Sequence, residues 1–237
     1  MKIAYPSLIL SAIAACAAPA PGKAIAEAGS TVNFLIMGDW GSGRPEQQTV
    51  ADSMQQVAVQ TNARIGTKKL AIIFIDTDLL NYGYSGDDLP AIYENFKAHG
   101  WTPENNTVQK QLNIIEGLLK KHADKEYLLV AGHHGIAVCE ALNYLSDVQT
   151  LFEQYKPTAY AYGHVHSLAF GRSGSTAYVQ SGCGGQSSGV CFNSVDDAWS
   201  ESTFGFVSAS FDDDSVTFNY FDLNGNAVHS ATAAPRF

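Results

Sequence analysis

The chain has 237 residues, of which 46% are hydrophobic and 16% are charged, a composition that supports a full hydrophobic core and excludes wholesale disorder. Its length is typical of one domain. The formal net charge of −9 and the lack of a basic run in the sequence argue against a nucleic acid partner, because proteins bind the phosphate backbone through clustered lysine and arginine.

Residues 1–18 have the pattern of a secretory signal peptide. Lys2 precedes an apolar stretch, and small residues follow that stretch up to Ala18. We therefore expect cleavage near Ala18 or Ala20 and a secreted or extracytoplasmic protein. The apolar stretch is shorter than the ~20 residues of a membrane-spanning helix, so no stable membrane span is predicted. The residues up to Cys16 also resemble a bacterial lipoprotein box, which predicts a lipid anchor if the source is bacterial.

Strands and helices are predicted to alternate in the next part of the chain. Residues 19–30, rich in Ala, Pro and Gly, are expected to be a flexible lead-in. The apolar periodicity then predicts a strand, a helix and a second strand at Val32–Met37, Glu46–Gln60 and Leu70–Asp76. Thr77–Pro103 has weak periodicity and is predicted to be a long functional loop. Asn106 is expected to cap the helix after it, whose apolar stripe is Val108, Leu112, Ile115 and Leu119.

A β–α–β unit and then an all-β region are predicted for the remaining chain. The unit consists of a strand, a helix and a strand at Tyr127–Ala131, Ser146–Gln154 and Thr158–Tyr162. The later strands are predicted at Ala177–Ser181, Phe204–Phe211, Ser215–Leu223 and Ala227–His229. The acidic run Asp212–Asp214 and the pair Asn224-Gly225 are expected to form hairpin turns between them.

Three cysteines remain once the leader is removed, which is an odd number for an oxidising compartment. Cys183 and Cys191 lie close together in a Gly/Ser-rich segment and could pair. A zinc knuckle is the alternative, but neither cysteine has Cys-x-x-Cys spacing, so a disulfide or free thiols are favoured. Asn105 begins the sequon Asn-Asn-Thr, which predicts N-glycosylation only in a eukaryotic secretory pathway.

Four of the seven histidines lie in two short clusters, and each cluster directly follows a predicted strand. The clusters are Gly132-His133-His134-Gly135 and Gly163-His164-Val165-His166, and Gly38-Asp39-Trp40-Gly41 follows the first strand in the same way. Side chains at the carboxyl ends of neighbouring strands can converge on one point, as a metal site requires. The sequence therefore predicts a metal site there. The histidines outside the clusters, His99, His122 and His229, are expected on the surface.

These motifs, with Ser181-Gly182-Cys183-Gly184-Gly185 after a later strand, resemble the calcineurin-like metallophosphoesterases. The resemblance is specifically to the purple (tartrate-resistant) acid phosphatases and covers nearly all of residues 31–237. It implies an α/β sandwich of two mixed sheets flanked by helices. It also implies a phosphoric monoester hydrolase of the acid phosphatase class, which hydrolyses phosphate esters with metal-bound hydroxide. A phosphodiesterase would use the same metal core.

The resemblance implies which residues would hold metals in this chain. Asp39 and His166 match ligands of an iron site, and His133 and His164 match ligands of a second site for Zn, Fe or Mn. Trp40 and His134 would line the pocket or support the ligands.

The chain departs from the family pattern by an internal deletion near residues 63–68. The motifs Gly-Asp-Asn-x-Tyr and Gly-Asn-His-Asp/Glu are absent from the sequence. The bridging Asp, the Tyr ligand and the proton-donating His of the family therefore have no counterpart, and no catalytic residue is assigned. Asp76 and Asp78 are the nearest carboxylates, and a structural role is favoured for Asp76. The alternative to an enzyme is a non-catalytic secreted relative that binds metal or phosphate, or a truncated splice or gene-model product.

Overall fold

A computed structural model describes residues 12–14, 32–37, 46, 49–50, 53–54, 69–82, 97, 100, 102–139, 145–191 and 195–237. The strands are β1 (Ala12–Ala14), β2 (Val32–Met37), β3 (Leu70–Phe74), β4 (Tyr127–Ala131), β5 (Ala159–Tyr162), β6 (Leu168–Ser173), β7 (Thr176–Ser181), β8 (Asp196–Glu201), β9 (Gly205–Phe211), β10 (Val216–Asp222) and β11 (Ala227–Ala233). The helices are α1 (Asp78–Tyr82), α2 (Val108–Lys121) and α3 (Ser146–Tyr155). Residues 46, 49–50 and 53–54 are also helical.

The strands form two sheets. The five-stranded sheet has the order β1-β2-β9-β10-β11, and its described pairs are all antiparallel. The six-stranded sheet has the order β3-β4-β5-β7-β6-β8, in which β3, β4, β5 and β7 are parallel, and β6 pairs antiparallel with both of its neighbours, β7 and β8. The expected α/β sandwich is therefore confirmed, with one mixed sheet and one antiparallel sheet.

Three hydrophobic clusters define the layers of the sandwich. The inner cluster joins facing residues of the two sheets, such as Leu129 and Val179 on one side and Val207 and Phe218 on the other. A second cluster packs the outer face of the six-stranded sheet against all three helices. A third packs Val50 against the outer face of the five-stranded sheet. Helices therefore cover the outside of both sheets, which is the usual way to bury both faces of a parallel strand array.

The N-terminal strand β1 lies within the predicted leader and pairs with Leu35–Met37 at the edge of the five-stranded sheet. Removal of the leader and export of the mature protein stay predictions. The lead-in at residues 19–30 and the deletion near residues 63–68 lie outside the described residues. Within the described ranges, no helix combines the length and the apolar character needed to cross a membrane.

Several predicted elements differ from those observed. The predicted loop after β3 contains the short helix α1, and the strands β6 and β8 were not predicted. The cap of α2 is Thr107, whose hydroxyl accepts a hydrogen bond from the Lys110 amide at 3.1 Å, whereas Asn106 is buried and accepts from the Gln111 side chain. His229 is half-buried and stacks on Trp199 with ring centroids 4.2 Å apart, so the prediction of a surface position was wrong.

The pairing of Cys183 with Cys191, which their closeness in sequence allowed, does not form, because the disulfide joins Cys139 to Cys191. Cys183 is not part of this disulfide and lies in the inner cluster between the sheets, whereas Cys139 and Cys191 pack on the outer, helix-covered side of the six-stranded sheet. Closeness in sequence therefore does not bring Cys183 and Cys191 together, because the sheet lies between their side chains.

Candidate metal centre

The histidine clusters lie at one edge of the six-stranded sheet. β4 and β5 are parallel neighbours, so the loops that follow them, beginning at Gly132 and Gly163, leave the sheet on the same side. A hydrogen bond from the Gly163 amide to the His133 carbonyl, at 3.0 Å, joins the two loops directly. The loop after β3 reaches the same edge and contributes Thr77 to the contacts described below.

Three imidazoles meet at this edge. One ligating atom from each of His133, His134 and His164 lies within 4.8 Å of the other two. Their ring centroids are separated by 4.5 to 5.0 Å. The shortest separation joins His133 Nε2 to His164 Nδ1, at 3.1 Å. Nitrogens that close can both contact a single cation, since a zinc–imidazole bond is about 2.0–2.1 Å long.

The loop after β4 is compact because it begins with a glycine. A Cβ atom at Gly132 would lie 2.4 Å from the Tyr160 hydroxyl and 2.8 Å from the Thr77 methyl group. Tyr160 in turn donates its hydroxyl hydrogen to the His134 carbonyl at 2.7 Å. A side chain at position 132 would therefore displace the contacts that hold the first histidine pair in place.

Thr77 connects the loop after β3 to both histidines of the loop after β4. Its Oγ1 accepts hydrogen bonds from the His133 and His134 amides, both at 3.1 Å, and lies 2.9 Å from His134 Nδ1. Thr77 and His134 are both almost fully buried, with exposures of 2% and 1%. The position of the first histidine pair therefore depends on a residue that the sequence analysis did not identify. A threonine two residues after an apolar run has no sequence signature that would have marked it.

His164 occupies a strained backbone conformation. Its φ is +68°, in the left-handed region that residues other than glycine rarely adopt. Such strain persists where surrounding contacts enforce it, and it concentrates at functional sites. Here it brings the His164 imidazole against that of His133.

Burial favours the neutral form of His133 and His134. Burial, together with the imidazoles of His164 and His166, lowers the pKa of His133 to about 4. Burial, with the His133 and His164 rings, lowers the pKa of His134 to about 2. Neutral imidazole is the form that binds metal ions, so the cluster is chemically suited to a cation near neutral pH.

A polar atom without a partner also fits a cation at this site. In the described part of the chain, His133 Nδ1 is buried and makes no hydrogen bond, while the other ring nitrogen, Nε2, lies against the His164 imidazole. In this arrangement, hydrogen bonds from the protein contribute little to stabilising the neutral His133 ring. A cation beside Nε2 would supply a strong partner for its ring, in keeping with the preference of Zn²⁺ and related metals for imidazole.

The other predicted site residues lie outside the three-histidine group or outside the described part of the chain. His166 is half-buried and close enough to His133 to lower its pKa, but it is outside the three-histidine group. Asp39 and Trp40 lie outside the described residues. Asp76 accepts a hydrogen bond from the Asp78 amide at 2.9 Å at the start of α1. Burial raises the pKa of both Asp76 and Asp78, and the Asp76 charge adds to the shift of Asp78.

Comparison with known proteins finds matches among solved structures. No family model and no curated protein matches the chain. GAP50, described as the anchor in the inner membrane complex of Plasmodium, matches with a TM-score of 0.57 and 16% identity over 71% of this chain. A purple acid phosphatase from yellow lupin (Lupinus luteus) matches with a TM-score of 0.48 and 17% identity over 75% of this chain. A Streptococcus pneumoniae protein described as a predicted phosphoesterase has a TM-score of 0.31 and 11% identity, over 69% of this chain and 96% of its own.

The chain spans only part of the first two proteins, covering 50% of GAP50 and 35% of the lupin phosphatase. The similarity to GAP50 shows a shared fold over most of the described sandwich. The solved structures that resemble this chain at low identity thus include a purple acid phosphatase and a predicted phosphoesterase.

Proposed function

We propose that this chain is a metal-dependent phosphomonoesterase of the calcineurin-like metallophosphoesterase superfamily, related to the purple acid phosphatases. The observation that carries the proposal is the convergence of His133, His134 and His164 after two neighbouring parallel strands. Each histidine belongs to a motif that resembles the family's, and the fold around the motifs is an α/β sandwich. The proposed substrate is a phosphate monoester, and the proposed setting is extracytoplasmic.

The proposed ligands are Asp39, His133, His164 and His166, for iron and for Zn, Fe or Mn. A bound cation of this kind acidifies water and attracts phosphoryl oxygens. The chain's own contribution begins with the facing nitrogens of His133 and His164, which lie 3.1 Å apart. Burial lowers the pKa of His133, and the close contacts around Gly132 hold its loop in place. Gln180 supports the second histidine loop, because its side-chain amide donates a hydrogen bond to the Val165 carbonyl at 2.7 Å.

A second candidate is a non-catalytic protein that binds a metal or phosphate. Two observations favour it. The metal-binding group found among the described residues contains histidines and no carboxylate, so no residue there could bridge two cations as the family's Asp does. In addition, GAP50, which shares the fold, is described as an anchor and not as an enzyme.

The test is to purify the chain, load it with iron, zinc or manganese, and measure bound metal together with p-nitrophenyl phosphate hydrolysis at mildly acid pH. Under the first proposal the chain binds metal and hydrolyses the ester slowly, because the family's acid His is missing and general acid help contributes ~10²- to 10⁴-fold. The double variant His164→Ala/His166→Ala should lose both properties. His229→Phe, a histidine change away from the cluster, is the matched control and should retain both.

The possible results separate the candidates. Metal binding with turnover that the double variant abolishes supports the phosphomonoesterase. Metal binding without turnover above that of the free metal ion supports the non-catalytic protein. Metal content that the double variant leaves unchanged contradicts both.

A further inference from the structure

The hydroxyl group of Thr77 makes three contacts with the first histidine pair. Oγ1 of Thr77 accepts hydrogen bonds from two backbone amides, those of His133 and His134. A threonine hydroxyl has two acceptor lone pairs and one donor hydrogen. Both lone pairs are therefore in use, and only the O–H hydrogen remains for a third contact.

The third contact of this hydroxyl is His134 Nδ1, at 2.9 Å. Since the amides occupy the acceptor capacity of Oγ1, Thr77 donates and Nδ1 accepts. Asp78 Oδ1, at 3.8 Å from the same nitrogen, is too far away to compete for it. A neutral imidazole that accepts at Nδ1 carries its proton at Nε2. His134 is thus held as the Nε2–H tautomer.

This tautomer gives His134 a different role from that of the other two histidines. A metal ligand needs a lone pair directed at the cation, and the lone pair of His134 is directed at Thr77. His133 Nε2 and His164 Nδ1, by contrast, face each other at 3.1 Å. A cation can replace the proton between these two nitrogens.

We propose that Thr77 is a positioning residue that fixes His134 as a hydrogen-bond donor, so that the cluster holds a cation through His133 and His164. His134 then donates from Nε2 to an oxygen ligand of that cation, such as water or a phosphate oxygen. The part that concerns the cation rests on the proposed function. The part that concerns the tautomer rests only on the contacts of Thr77.

The tautomer is measured directly by ¹⁵N NMR of histidine-labelled protein without added metal. His134 should show a proton on Nε2 and a lone pair on Nδ1. Thr77→Ser keeps the hydroxyl and should keep this pattern, whereas Thr77→Val removes the donor and should release Nδ1. Thr158→Val is the matched control, since the buried Thr158 hydroxyl also accepts from a backbone amide, that of Leu128, at 3.1 Å. A proton on Nδ1 of His134 in the unaltered chain overturns the proposal.

Metal titration tests the ligand assignment, with Co²⁺ absorption and bound-metal analysis as readouts. His134→Gln keeps an N–H donor near the Nε2 position and should weaken Co²⁺ binding by about tenfold, at the low end of the range for residues that only support a ligand. His133→Ala and His164→Ala should each weaken it by more than ~100-fold, beyond the usual range for such supporting residues. Equal losses in His134→Gln and His133→Ala overturn the proposal by making His134 a ligand.

The two measurements also separate this inference from the proposed function. If the unaltered chain binds no Co²⁺, Zn²⁺ or iron, the proposed function fails, and the NMR result alone decides the role of Thr77. If metal binds but depends on His134 as strongly as on His133, the proposed function stands and this inference fails.

Discussion

His164 combines a side chain of the histidine cluster with a costly backbone conformation. A left-handed conformation costs a residue with a Cβ atom about 1–2 kcal/mol, and glycine avoids this cost. The chain retains histidine at this position, where the imidazole contacts those of both His133 and His134. The strain is therefore best understood as a stability cost that the histidine cluster imposes on the fold.

Substitution at position 164 should reveal this strain. We expect His164→Gly to unfold with a free energy about 1 kcal/mol higher than His164→Ala, because only glycine relieves the positive φ. Urea denaturation of the two variants measures the difference. His133, which is not among the described residues with positive φ, is the control, and there the glycine variant should be the less stable one. If the glycine variant is less stable than the alanine variant at position 164 as well, the backbone of His164 is not strained.

At the scale of elements, the disulfide joins two loops of the six-stranded sheet. Cys139 lies in the loop after β4, which carries His133 and His134, and Cys191 lies in the loop between β7 and β8. Ser167, just after the second histidine loop, has its Oγ 3.0 Å from Cys191 Sγ. The crosslink therefore connects the first histidine loop to the region that borders the second.

Loss of this disulfide should lower stability substantially. It closes a loop with a sequence separation of 52 residues. A crosslink that closes a loop of that length stabilises the folded state by about 2–4 kcal/mol, because it restricts the unfolded chain. Thermal melts with and without reductant should show a lower melting temperature on reduction of the unaltered chain. The variant Cys139→Ala/Cys191→Ala should melt low in both conditions.

Cys183→Ala provides the matched control, because Cys183 is not part of this disulfide. This variant should keep the full response to reductant. A melting temperature that reductant leaves unchanged in the unaltered chain would rule out a stabilising crosslink between Cys139 and Cys191.

Sequence patterns predicted the buried parallel strands well. Tyr127–Ala131 is a continuous apolar run that is buried at every position, and this is the simplest pattern to interpret. β8, with the sequence Asp-Asp-Ala-Trp-Ser-Glu, and β6, which contains Gly171 and Arg172, have no such run and become strands through their neighbours in the sheet. Local propensity does not contain that tertiary information.

The candidate site was predictable only in part, for a related reason. The two histidine clusters are visible because each directly follows an apolar run. The role of Thr77 is not visible, because it depends on where the loop after β3 lies relative to the loop after β4. The partner of Cys191 was missed because it depends on which face of the sheet each side chain occupies. These facts follow from packing between segments distant in sequence.

At the scale of the whole molecule, an aromatic contact joins the two sheets where β8 and β11 approach each other. His229 of β11 stacks on Trp199 of β8, and Tyr220 of β10 packs beside both. Burial lowers the pKa of His229, and its Nε2 is buried without a hydrogen-bond partner. Arg172 of β6 also joins the two sheets here, because it forms an ion pair with Asp197 of β8 and donates a hydrogen bond to the Thr232 carbonyl of β11.

This contact should make the sandwich sensitive to acid. Since the folded-state pKa of His229 lies below its unfolded value, the unfolded chain binds the proton more readily. Stability is therefore full above the ordinary histidine pKa, about 6.5, and decreases as the pH falls below it. His133 and His134, whose pKa values are also lowered, contribute in the same direction.

His229→Phe keeps the stacked ring and removes the titrating group. The unfolding free energy of this variant, measured by denaturant between pH 8 and pH 5, should fall less steeply than that of the unaltered chain. Each proton accounts for at most about 1.4 kcal/mol per pH unit. Parallel curves for the two proteins would show that His229 does not sense acid.

The two sheets differ in how their strands are ordered along the chain. All strands of the six-stranded sheet, β3 to β8, come from one continuous stretch, whereas β2 pairs with β9 from the far side of that stretch, with Val32 opposite Phe211. During synthesis the ribosome therefore releases the whole six-stranded sheet before β2 can meet β9. Until then, the apolar face of β2 stays unpaired in the nascent chain. We therefore expect completion of the sandwich to be a late, slow step of folding. During this step the chain should be prone to aggregation and should be a substrate for chaperones.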